Sequence, residues 1–220
     1  AHHLLWTPVP DWIQTLAMGF SVMLIAPSWG SVFNGYLSMG GQWHQMRENY
    51  LVKFLILGIT FYGLQTLQGP MQAIRTFSAF IHYTDWVPAH IHMGTMGWVS
   101  MISFASIYFM VPRIWDREVY SIPLANLQFW LILVGQLIWS ISLWVAGVLQ
   151  AGMWNAMNSD GSLTYTFMET MVEMYPYWWA RVFGGIIYLV GLIIFIYNIY
   201  MTVKKGEPTA VTTATAEGRA

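Results

Sequence analysis

Five stretches of the chain, 12–46, 54–74, 86–112, 119–159 and 182–203, contain no Asp, Glu, Lys or Arg. Each is longer than the roughly 20 residues a helix needs to cross the hydrocarbon core of a bilayer. Only 9% of the 220 residues are charged and 56% are hydrophobic, whereas soluble domains carry about a quarter charged residues. A segment inside the bilayer has no water to take up its N–H and C=O groups, so it satisfies them within itself, as a helix. The expected fold is an all-α, polytopic transmembrane bundle with five full spanning helices. Residues 1–6, closed by Pro8 and Pro10, read as the end of a sixth. The membrane unit covers 1–203, and the small, polar, Thr/Ala-rich stretch 204–220 is expected to be a disordered tail.

Turn residues divide the spans. One runs from about 11 to 39, where Gly40 and Gly41 stop it. The next covers about 49 to 81, with a kink expected at Gly69-Pro70. A third opens at Pro88 and ends near 111, before Pro112. A fourth covers about 123 to 154, and the polar NSDGSLTY leads to a last helix over about 175 to 203. Lys and Arg gather in alternate connections, at Arg47 and Lys53, at Arg113 and Arg117, and at Lys204 and Lys205, which puts those on the cytoplasmic side. Residues 1–10, 80–88 and 155–175 then lie outside. The chain opens Ala-His-His, with neither an initiator Met nor a signal-peptide pattern, and reads as a piece of a longer protein.

No cysteine is present, so a metal here would take histidine or oxygen ligands. His90 and His92 stand two residues apart at the head of an apolar span. Two residues turn a helix by roughly 200°, so the imidazoles leave from nearly opposite faces, toward two centres rather than one. Ionisable side chains within a membrane span mark function by default. His2 and His3, roughly 100° apart at a helix end of the same outer side, could share one small ion. The alternative for all four is a cross-bundle hydrogen bond or a ring turned to water. Arg75, Arg181, His82 and Asp85 lie at the outer helix ends, where arginine can hold carboxylates such as haem propionates or pair with an acid. Asn34, Tyr36, Thr60, Tyr62, Thr66 and Gln68 are polar and uncharged, suited either to proton relay from the cytoplasm or to interhelical hydrogen bonds.

In order, the segments HHLLWTPVPDW, APSWG, FYG, GPM, HYTDW, H-x-H-x-G-x-x-GW and YPYWWARVFGG resemble the second half of the catalytic subunit of cbb3-type cytochrome c oxidases, in the haem-copper oxidase superfamily. The resemblance covers nearly the whole chain apart from the tail. It implies part of a twelve-helix fold in a bacterial inner membrane, reducing dioxygen to water at a high-spin haem–copper centre with proton uptake and translocation. His2 and His3 would be copper ligands, His90 the axial ligand of the high-spin haem b, and His92 a ligand of the low-spin haem b. His82, Asp85 and Arg181 resemble residues of the propionate region, and Tyr62 a tyrosine of the proton path, so His90 and Tyr62 are the expected catalytic positions.

Implied partners are dioxygen, a cytochrome c-type donor acting through haem c subunits, and membrane lipid; no nucleic acid is expected. The third copper histidine, its cross-linked tyrosine and the second low-spin haem ligand would fall upstream, so this piece alone is expected to be inactive. Gln68 stands where a glutamate is common, and Arg75 where a lysine is frequent. Competing readings are a nitric oxide reductase of the same superfamily, a dihaem electron carrier, and a transporter whose histidines face a cavity.

Overall fold

A computed structural model describes residues 2–208; Ala1, the side chain of His2 and residues 209–220 lie outside the described residues. The chain forms five helical spans, Asp11–Leu37, Tyr50–Ala73, Trp86–Ile114, Ile122–Asn155 and Phe167–Lys205, each long and apolar enough to cross a membrane. A 3-10 turn, His2–Leu4, precedes them in place of the expected helix end.

Two of the spans are subdivided, the first and the third. The first consists of α1 (Asp11–Met23) and α2 (Ile25–Leu37), parted at Leu24. Pro27 causes the break: it has no N–H for the carbonyl of Met23 four residues back, and its ring crowds that carbonyl. A short α3 (Gln45–Glu48) leads to α4 (Tyr50–Ala73), whose Asn49 cap accepts the Leu51 N–H at 2.9 Å. The helix continues through Gly69-Pro70 and ends at an extended Ile74, after which α5 (Arg75–Ile81) begins. The third span starts with α6 (Trp86–His92), continues as a π-helical turn (Met93–Val99) and ends as α7 (Ser100–Ile114), with Pro112 inside its last turn.

α8 (Ile122–Asn155) and α9 (Phe167–Lys205) form a long antiparallel pair. They approach closely where Gly135 meets Gly184: a Cβ on either would lie 2.7 or 2.8 Å from the carbonyl oxygen of the other. α9 starts well before residue 175 because Thr166 and Glu169 form a capping box, Thr166 N–H donating to Glu169 at 2.7 Å. At its far end Gly206 and Glu207 are tied to the loop after α7. Arg117 donates to the Gly206 carbonyl at 3.0 Å and Glu118 N–H to that of Glu207 at 2.7 Å. The stretch expected to be a free tail from 204 is therefore anchored as far as Glu207.

Polar contacts gather the helix ends into two levels. At one, Arg75 pairs with Asp11 at 2.8 Å, Trp6 donates to Ser78 at 2.9 Å, and Asp85 accepts from Gln150 at 3.0 Å and Trp178 at 2.7 Å. At the other, Asn198 holds Ser121, and Thr202 accepts the Tyr120 N–H at 3.1 Å. The loop after α7 and the end of α9, both assigned to one side by their Lys and Arg content, meet through Arg117 and Gly206. Between the levels, Phe54, Phe104, Phe129, Phe195 and Tyr108 join α4, α7, α8 and α9 in an aromatic core.

Candidate functional site

The two histidines of α6 face different surroundings, as a step of two residues on a helix dictates. His90 lines a cavity of about 560 Å³ together with His3, His82, Tyr62, Thr66 and Gln72. Its ring lies nearly parallel to that of Trp86, 16° between planes and 6.5 Å between centroids. The cavity is within the range of small-molecule and cofactor sites, roughly 300–1,000 Å³. Leu24 and Ser28 at the α1–α2 junction close one wall, and Ile91, Thr95 and Trp98 another.

His92 is not among the residues lining that cavity; its ring is 5.2 Å from Trp139 of α8. Its Nδ1 is 2.6 Å from the Pro88 carbonyl oxygen. A carbonyl only accepts, so Nδ1 is the nitrogen that donates, and Nε2 is the one left to serve as a metal ligand. Gln136 steadies the same turn, donating to the His92 carbonyl at 3.1 Å and to Ser140 at 2.8 Å. Arg181 lies on this side too, its guanidinium 5.8 Å from the Trp139 ring.

Glycines let the π-helical turn press against α4. A Cβ on Gly94 would overlap the Gln65 amide, and one on Gly97 would come within 3.0 Å of the Phe61 ring. Gln65 in turn accepts a hydrogen bond from the Trp98 indole, which fixes the turn to the cavity wall. Tyr62 packs edge-on against the same Trp98, centroids 5.2 Å apart.

The other expected residues divide. His82 lines the cavity with its ring 6.4 Å from Trp6, whose backbone is left-handed at φ 63°. Such backbone strain clusters at functional sites. Asp85 turns toward α8 and α9, where its carboxylate takes the Gln150 and Trp178 N–H groups. Arg75 is committed elsewhere: it donates to the Asp11 carboxylate and carbonyl and to Thr15, each at 2.8 Å, and does not line the cavity. The side chain of His2 lies outside the described residues. Of the polar set, Tyr36 and Thr60 join α2 to α4 at 2.8 Å, Thr66 bonds back to the Tyr62 carbonyl at 2.7 Å, and Asn34 is exposed.

Sequence reasoning passed over Gln65, Gln72, Gln136 and Trp139. Glutamines within charge-free spans were the available signal for the first three. Among the described residues no three His, Cys, Asp or Glu side chains converge. The donor set nonetheless suits a haem on either side of α6 and a copper beside His3. The supporting features are His90 and His3 in one cavity, His92 outside it with Nδ1 turned to the Pro88 carbonyl, and the buried Trp139 Nε1 on the His92 side, without a partner among the described residues.

Residues 1–187 match the family described as cytochrome C and quinol oxidase polypeptide I. The Cbb3-type cytochrome c oxidase subunit CcoN1 of Stutzerimonas stutzeri is 43% identical over 208 residues, covering 94% of this chain and 44% of that protein. A nitric oxide reductase component of the same organism is 25% identical over 227 residues, covering 98% and 45%. A solved heme-copper terminal oxidase dimer shares the fold with a TM-score of 0.72 at 18% identity, over 94% of this chain and 39% of the matched one. The chain spans less than half the length of these relatives.

Proposed function

We propose, given that the chain belongs to the cytochrome C and quinol oxidase polypeptide I family, that it builds one flank of the dioxygen-reducing centre of a cbb3-type cytochrome c oxidase. It is a multi-pass protein of the bacterial inner membrane, of a family that carries haem and copper. In this reading the haems are of b type, one on each side of α6. Bound there, the haems and copper would provide the site at which dioxygen is reduced to water and would relay to it the electrons of an external donor.

The observation that carries the reading is the division of the H-x-H pair, with His90 sharing a cavity with His3 and His92 turned to Trp139. His90 would hold the high-spin haem and His3, with His2, the copper. His92 would hold the low-spin haem through Nε2, with the Pro88 carbonyl keeping the proton on Nδ1. The other ligands would come from sequence beyond this chain. Tyr62 brings a hydroxyl-bearing ring into the cavity wall, and the Tyr36–Thr60 pair lies on α2 and α4 toward the inner level, which supports proton delivery from the cytoplasm. His82 in the cavity and Asp85 and Arg181 on the α8–α9 side are the polar groups left for the propionate edges. Electrons would come from a cytochrome c-type donor through haem c subunits.

Metal and haem analysis of the intact complex tests this. Copper with two b-type haems is the expected result. Iron in place of copper would mean a nitric oxide reductase, and haem without a second metal an electron carrier. A complex without haem absorbance would overturn the reading altogether.

A further inference from the structure

We propose that Gln68, Gln72 and Arg75 hold a file of ordered water joining the cavity to the outer surface, by which product water leaves; only the word product rests on the oxidase reading. Three buried side-chain atoms on this stretch have no hydrogen-bond partner among the described residues: Gln68 Oε1, Gln72 Nε2 and Arg75 Nε. Gln68 and Gln72 are four residues apart on one face of α4, and Arg75 opens α5 directly beyond the break at Ile74. Buried polar groups are satisfied by protein or by water, and a run of them opening from a roomy polar-edged cavity is satisfied by water.

The file has a defined lower end. Thr66 and Gln72 line the cavity. Pro70 has no N–H to donate to the Thr66 carbonyl, so that oxygen becomes a further acceptor at the start of the row. Its upper end is open, because the Asp11 side chain that holds Arg75 is 81% exposed. Between Tyr62 and Arg75 the stretch contains no charged residue. Amides and a carbonyl hydrogen-bond water without retaining an ion, and water serves either orientation of each amide because it both donates and accepts.

The test is a high-resolution map of the full complex, in wild type and Gln72→Leu, with the haem absorbance spectrum as the check on folding. Ordered water bonded to all three atoms, lost beside residue 72 and at Gln68 in the variant while the spectrum is kept, is the expected result. Gln68→Leu, which leaves the cavity lining intact, should break the row in the same way. Water that persists unchanged at Gln68 in Gln72→Leu overturns the proposal, as does a wild-type map in which these atoms bond directly to protein or haem groups. A complex without copper or haem would sink the oxidase reading and leave the water densities to be judged separately.

Discussion

Substituting Gly94 by Ala probes the joint on which the His90 face depends. Alanine in a helix interior is ordinarily worth about 0.5–1 kcal/mol over glycine. Here the added Cβ would overlap the Gln65 amide, whose oxygen accepts the Trp98 indole N–H. Overpacking a tight contact costs about 1–3 kcal/mol, and orphaning the partly buried indole adds about 1–3 kcal/mol. The costs outweigh the propensity gain, leaving a net destabilisation of about 1–5 kcal/mol. The assay is thermal unfolding of the detergent-solubilised full-length protein, read by the haem absorbance that should loosen first on the His90 side. Gly152→Ala is the matched control: nothing lies within 4 Å of its Cβ, so it should be neutral or slightly stabilising. Because the cost arises from one neighbour, Gly94→Ala should be far milder in a Gln65→Ala background. Additive effects of the two substitutions would refute the reasoning.

Three further outcomes are expected. In the full-length protein, His90→Ala should abolish the oxygen-reactive haem signal and keep the low-spin spectrum, and His92→Ala the reverse; spectroscopy of the purified complexes checks which signal goes with which ring. Arg75→Ala should leave both haem spectra unchanged. Its salt bridge joins side chains 33% and 81% exposed, so a double-mutant cycle with Asp11→Ala should give a coupling under about 1 kcal/mol. Asp160 accepts the Ser162 hydroxyl and N–H at 2.6 and 2.9 Å, which hold its carboxyl below the usual range. A depressed pKa makes this contribution present above the unfolded value and lost as pH falls through the folded one. Limited proteolysis of loop 156–166 should accelerate on acidification, and Asp160→Asn should remove that pH dependence.

The spans were legible because they follow from what a bilayer forbids. Charge-free runs set the number of helices. The breaks were harder to read because proline acts at a distance. Pro27 parts its span at Leu24, three residues back, whereas α4 continues past Pro70 and the chain turns at Ile74. The early start of α9 was written in the Thr166-x-x-Glu169 pattern, hidden within what reads as polar loop. At the site, the opposed histidines followed from helix geometry alone. The engagement of Arg75 by Asp11 did not, since residues 64 positions apart in sequence meet only through packing. The π-helical turn after His92 has no marker in the sequence beyond the two glycines it contains.

That turn bears on why the two sides of α6 stay distinct. His90 and His92 are carried on one short helix, so the wall between the cavity and the Trp139 side is a single helix thick, and backbone geometry rather than loop conformation fixes the offset of the rings. The wall is then pinned on both flanks by groups that are not themselves metal-binding types. On one flank Gly94, Gly97 and Gln65 bring α4 against the turn, while on the other Gln136 grips the His92 carbonyl and Gly147 admits the backbone of Trp86 at the head of α6. A π-helical turn carries one extra residue per hydrogen-bonded turn, which shifts the register of α7 relative to α6. The aromatic core can thus be packed by α7 without dictating where the imidazoles point. Substitutions within that core should therefore change stability more than they change which haem signal each histidine supports.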